Sequence, residues 1–165
     1  CPFGYYCPAG TLEPLPCPRG TYGGASGGLS NASQCLPCTA GYFCPDVAHT
    51  PDDHLTNACP VGHYCPTGSI LPTACAKGSY NPNTLSETPD SCVQCDPGKY
   101  CIGGQAAVSG PCASGFFCIS GAKIAAPTDG VTGDVCWDGW QCPEGASIPT
   151  PCPAGFYCEA AFSGA

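Results

Sequence analysis

Eighteen of the 165 residues are cysteine, and thiols at that density can do three kinds of chemistry: close disulfides, ligate a soft metal, or exchange electrons. Two pairs, Cys35-x-x-Cys38 and Cys92-x-x-Cys95, have ligand-like spacing, and four such thiolates would suit zinc. The remaining cysteines would still need partners, and both pairs fall at junctions of a repeat described below. A redox role for the same motif lacks its βαβ setting. An even count lets every thiol be bridged, and bridges at this density persist only in an oxidising compartment. Outside the cysteines, His49, Asp52, Asp53 and His54 cluster in AHTPDDHLTNA and could take a divalent cation. Their place in the longest gap between repeats predicts a solvated linker instead. Nothing resembles a 12-residue calcium loop, and no Ser or Thr has a His partner at a defined spacing. The expectation is a non-enzyme with no catalytic residue, no metal and no cofactor.

Two modification signals stand out. Asn31-Ala32-Ser33 is an N-glycosylation sequon in a wide loop; Asn57-Ala58-Cys59 matches only the rare Cys type. Trp137-Asp138-Gly139-Trp140 resembles the C-mannosylation motif of thrombospondin-type repeats, which makes Trp137 a candidate. The competing expectation is that both rings pack on a Cys136–Cys142 bridge. Thr50-Pro51, Thr88-Pro89 and Thr150-Pro151 are compositional sites for O-linked sugar.

The rest of the composition says what must position these groups. Gly (23) and Pro (20) exceed a quarter of the chain, whereas Leu, Ile, Val and Phe number 24. So few core formers usually signal disorder, and cysteine at this level reverses the signal because cross-links replace the core. Four Lys and Arg oppose twelve Asp and Glu, a net charge of −8, so nucleic acid and anionic membranes are poor partners. The longest run free of Cys, Gly and Pro is Asp52 to Ala58, far short of the ~20 apolar residues that cross a bilayer; no membrane insertion is expected of this segment. Neither a leader nor a methionine is present, and the expectation is a segment of something larger.

One unit, Cys-x-x-Gly-x-aromatic, recurs nine times, from Cys1, Cys17, Cys38, Cys59, Cys75, Cys95, Cys112, Cys136 and Cys152. The sixth place is Tyr or Phe except at Gln141, where Trp140 brings the aromatic one place early. Residues 1–58 read C-x5-C-x9-C-x17-C-x2-C-x5-C, and residues 59–111 repeat that order with one residue fewer in the wide loop. With a divergent stretch over 112–165, these make three cysteine-rich blocks. One bridge per repeat uses every cysteine: Cys1–Cys7, Cys17–Cys35, Cys38–Cys44, Cys59–Cys65, Cys75–Cys92, Cys95–Cys101, Cys112–Cys118, Cys136–Cys142 and Cys152–Cys158. Stapling between repeats, such as Cys7–Cys17 or Cys44–Cys59, is the alternative. In the first scheme a seven-residue ring stabilises by roughly 2.4 kcal/mol and a 17-residue loop by roughly 3. Gly permits the sharp turn, Pro at the second place stiffens the open chain, and the aromatic covers the bridge. The fold class expected is small disulfide-rich repeats in an elongated tandem array, with short β-strand pairs and no stable helix. Each repeat is expected to touch only its neighbours.

The strings CPFGYYCPAGTLEPLPCPRGTYGGASGGLSNASQCLPC and CPVGHYCPTGSILPTACAKGSYNPNTLSETPDSCVQC resemble the ephrin-receptor-like cysteine-rich repeat, a relative of tumour-necrosis-factor-receptor-like modules. The likeness is strong through residue 111 and weaker beyond, where Cys-x-x-Cys is absent and Trp137 and Trp140 intrude. It implies an extracellular, rod-like array of the kind found in protist and algal surface proteins and flagellar hairs (mastigonemes), without catalytic residues. On that basis the expected role is structural, in a fibre, hair or cell-surface coat. The expected partners are copies of itself, other coat proteins and covalent glycans. The alternative is a receptor or adhesin ectodomain with Tyr5, Phe116 or Trp137 at its binding surface.

Overall fold

A computed structural model describes residues 1–24 and 27–159. The chain is built from seven-residue rings closed by disulfides. Seven bridges span six positions: Cys1–Cys7, Cys38–Cys44, Cys59–Cys65, Cys95–Cys101, Cys112–Cys118, Cys136–Cys142 and Cys152–Cys158. Cys17–Cys35 and Cys75–Cys92 close wider loops. No cysteine is free.

Regular structure is sparse, as the Gly and Pro content requires. No helix longer than a single 3₁₀ turn occurs among the described residues. The fifth and sixth residues of a ring form one short strand, and the residues just before the next repeat return as its partner. Thus β1 (Tyr5–Tyr6) pairs with β2 (Leu15–Pro16), and β3 (Thr21–Tyr22) with β4 (Leu36–Pro37). Strands β5 (His63–Tyr64) and β6 (Thr73–Ala74) form another two-stranded sheet. The series continues with β7 (Ser79–Tyr80) on β8 (Val93–Gln94) and β9 (Lys99–Tyr100) on β10 (Gly110–Pro111). It ends with β11 (Phe116–Cys118) on β12 (Gly133–Val135) and β13 (Trp140–Gln141) on β14 (Thr150–Pro151). Pro16, Pro37, Pro111 and Pro151 sit opposite the fifth ring residue, and a two-stranded sheet has only edges, where proline is tolerated. Strand pairs accompany tight rings and wide loops alike.

The chain divides into two bodies, one of Cys1–Thr73 with Asn83–Ser91, the other of Ala74–Pro82 with Cys92–Ala165. Within each body a backbone ladder joins successive rings. In the first, Cys17, Cys38 and Cys59 donate to the carbonyls of Gly4, Gly20 and Gly41, each at 2.8 Å. Gly20 and Gly41 donate onward to Cys44 and Cys65 at 2.9 Å. In the second, Cys95, Cys112, Cys136 and Cys152 donate to Gly78, Gly98, Gly115 and Gly139. Those glycines donate to Cys101, Cys118, Cys142 and Cys158.

Glycine at the fourth place is what lets the ladder run. All nine have φ between 76° and 89°, a left-handed conformation that disfavours any side chain. At Gly41 a Cβ would also lie 2.8 Å from the carbonyl oxygen of Leu85. Leu85 follows the ring two repeats further on, and Gly4 meets Ala48 in the same way. Contacts thus reach the next repeat but one, beyond the neighbour-only expectation, because loop carbonyls fill the space a side chain would need.

Buried side chains are mostly cysteines, and three of the sixth-place aromatics pack on the bridge of the following repeat. Tyr6 lies against Cys17, Cys35 and Leu29, and Tyr100 against Cys112, Cys118 and Ala122. Phe117 clusters with Cys136, Cys142 and Ala146. In these three cases a bridge is covered by the repeat before it, whereas Tyr22 stacks on His54.

Gly10 and Gly41 separate backbone strain from the close approach. Both have positive φ, at 84° and 83°, but a Cβ on Gly10 meets nothing within 4 Å. Gly10→Ala should cost about 1–2 kcal/mol, and Gly41→Ala distinctly more. Thermal unfolding of the two variants with bridges intact checks this, and equal losses would contradict the packing of Gly41 against Leu85.

Candidate functional site

The Cys-x-x-Cys pairs illustrate how the repeat uses its thiols. Leu36 and Pro37, between Cys35 and Cys38, are strand β4, and the flanking cysteines belong to different bridges. Val93 and Gln94 do the same between Cys92 and Cys95. No thiolate is left to ligate zinc. Among the described residues, no group of three or more His, Cys, Asp or Glu is placed to hold a metal ion.

The AHTPDDHLTNA segment differs from a solvated linker, because both histidines are buried. The His49 carbonyl accepts from Gly23 N–H at 2.8 Å, and Ala48 N–H donates to the Cys17 carbonyl at 3.0 Å. These are the ladder bonds made by Ser69 and Gly68 in the next repeat. Gly23 stands where other rings carry their second cysteine, so the ladder holds here without a local bridge. The segment is thereby drawn onto the second repeat. His54 stacks flat on Tyr22, with centroids 3.8 Å apart and planes 7° apart. Its Nε2 is 3.1 Å from Thr39 Oγ1. His49 Nδ1 lies 3.5 Å from Asp53 Oδ1, which also accepts from the Thr50 amide. Asp52 makes no side-chain cap to the turn it precedes. A run of polar residues carries no sign of this burial, because backbone atoms impose it.

Asn31 is exposed and starts a 3₁₀ turn, Ala32–Gln34. Its Oδ1 accepts from the Ser33 amide at 3.1 Å and from the Ser33 hydroxyl. Gln34 Oε1 reaches back to the amides of Ser30 and Asn31. The sequon is thus held in a tight cap with its carboxamide at the surface.

Trp137 and Trp140 belong to an aromatic row on the second body. Phe117 meets Trp137 edge-on at 5.8 Å, and Trp137 meets Trp140 edge-on at 6.0 Å, the arrangement a ring quadrupole prefers. Phe117 is the ring buried against Cys136 and Cys142; Trp137 is 52% exposed and Trp140 37%.

Phe117 is positioned by the β11–β12 hairpin, whose connection ends in a turn built on Asp129. One carboxylate oxygen accepts from the amides of Val131 (2.9 Å) and Thr132 (2.7 Å), the other from the Thr132 hydroxyl at 2.8 Å. Bonding from the Thr132 amide first, then that of Val131, lowers the Asp129 pKa from 3.8 to about 2, because donors aimed at a carboxylate favour its charged form.

No family model matches the chain. It is similar to white-brown complex homolog protein 30 of Arabidopsis thaliana, 31% identical over 113 residues, covering 59% of this chain and 10% of that protein. The chain therefore spans about a tenth of the length of that curated relative.

The Asp129 turn carries its own pH signature. A lowered carboxyl pKa contributes stability that is fully present above 3.8 and is lost as pH falls through about 2. The Val131 and Thr132 amides should stay protected from hydrogen exchange down to that range and lose protection below it. Asp129→Ala should expose both at neutral pH, as read by NMR. Protection unchanged in the variant would show that the carboxylate does not hold the turn.

Proposed function

We propose that the chain is a structural segment of an extracellular fibre, flagellar hair or cell-surface coat, built from repeats of the ephrin-receptor-like kind. The observation that carries this reading is the ladder. Within each body one ring, with one set of backbone bonds, is used again and again. The conserved-geometry part of each repeat, its cysteines, glycine and aromatic, is occupied in holding the next. Nine disulfides call for an oxidising environment, which supports an extracellular site. No helix among the described residues is long and apolar enough to cross a membrane. Similarity to a short stretch of a far longer plant protein supports reading such repeats as a module within larger chains.

The partners proposed are further copies of the chain or neighbouring coat proteins, with covalent glycan at the exposed Asn31. A receptor or adhesin ectodomain is the second reading, and the exposure of Trp137, Phe156 (76%) and Tyr157 (83%) favours it.

Electron microscopy of native, unreduced material decides between them. Regular filaments with a constant axial rise are expected, and isolated short particles at high concentration would move the weight to the receptor or adhesin. Small-angle scattering should give a radius of gyration well above the ~15 Å of a compact chain of this length. Intact mass before and after N-glycosidase treatment should differ by the glycan at Asn31. An unchanged mass that already equals the bare chain would remove that site.

A further inference from the structure

We propose that the eighth repeat carries a binding site for a neutral saccharide, independent of the structural role above. The site follows from the one repeat whose sixth place is not aromatic. Tyr6, Tyr100 and Phe117, all at the sixth place, lie on the bridge of the following repeat. In the eighth repeat that place is Gln141, and the following bridge, Cys152–Cys158, is only half-buried. A groove of about 350 Å³ opens there, lined by Trp140, Gln141, Cys158, Ser114, Pro143 and Glu159. That volume is within the range of small-ligand sites.

The lining selects the ligand. None of the four basic residues (Arg19, Lys77, Lys99, Lys123) lines the groove, Glu159 does, and the chain carries a net charge of −8; an anion is repelled. Trp140 supplies a flat aromatic surface on which the C–H face of a sugar ring can stack. The Ser114 hydroxyl, Gln141 carboxamide and Glu159 carboxylate together offer donors and acceptors for its hydroxyls. A quaternary ammonium is less well served. Aromatic cages surround such a cation with several rings, and Trp140 is the one aromatic among the groove residues, with Trp137 set edge-on behind it at 88°.

Trp140 lines the groove and Trp137, the other tryptophan of the chain, stands against it at 6.0 Å, so fluorescence excited selectively from tryptophan reports on this region. The disulfide-bonded chain is titrated with cellohexaose, chitohexaose and mannohexaose, and with choline as the cationic control. At least one sugar should give a saturable shift at micromolar to millimolar concentration. Gln141→Tyr restores the residue common at this place and fills the groove, and should weaken binding at least about tenfold, a loss of about 1.4 kcal/mol. If Gln141→Tyr does not form its bridges, Trp140→Ala replaces it, read by calorimetry, with binding expected to disappear. The proposal is overturned if no sugar shifts the fluorescence, if choline alone saturates it, or if the folded variant binds as tightly as the parent. None of these results depends on whether the chain forms filaments.

Discussion

The hydrogen bond from a cysteine amide to a glycine carbonyl in the preceding ring is the constraint on which the rest of the structure depends. It recurs at 2.8–2.9 Å in both bodies and is possible only because the fourth ring residue turns left-handed. That conformation aims both the carbonyl and the N–H of the glycine at the following ring, where they meet its first and second cysteine. Where a Cβ would stand, loop carbonyls of a more distant repeat are found instead, as Leu85 does at Gly41. A single small residue therefore sets ring spacing, ring order and the path of the connecting loops.

Disulfides and aromatics act on this frame in different ways. A bridge restricts the open chain and, once closed, is the apolar centre that a repeat with few aliphatic residues otherwise lacks. In three repeats the sixth-place aromatic covers the bridge of the next, which gives those joints a direction. Tyr6, Tyr100 and Phe117 follow this rule. The eighth repeat has Gln141 at that place, and a groove opens beside the half-buried Cys152–Cys158 bridge in place of a packed joint.

The fold class was legible because it depends on residue types that announce themselves. Cysteine count, glycine at a constant place and a shortage of aliphatics leave little but small cross-linked rings. The reach of each repeat to the next but one was hidden, since its partners are carbonyl oxygens, which every residue has. Ala48 and Leu85 show this best. They take positive φ, at 62° and 58°, and make the loop bond to a first-cysteine carbonyl that Gly68, Gly121 and Gly145 make elsewhere. Neither side chain signals it. The burial of His49 and His54 escaped for the same reason: the Gly23 amide and the Cys17 carbonyl draw that polar segment inward. At Gln141 the signal was present as an exception, but its consequence needed the knowledge that an aromatic serves the following bridge.

Amide hydrogen exchange on the fully bridged chain tests the ladder most directly. The account predicts that the amides of Gly20, Gly41, Gly78, Gly98, Gly115 and Gly139 exchange far more slowly than those of exposed loop residues such as Leu12. The amides of Cys17, Cys38, Cys59, Cys95, Cys112 and Cys136 should be protected with them. Uniformly fast exchange at these positions, with all nine bridges intact, would show that the rings are tied only by their cross-links, and would contradict the account.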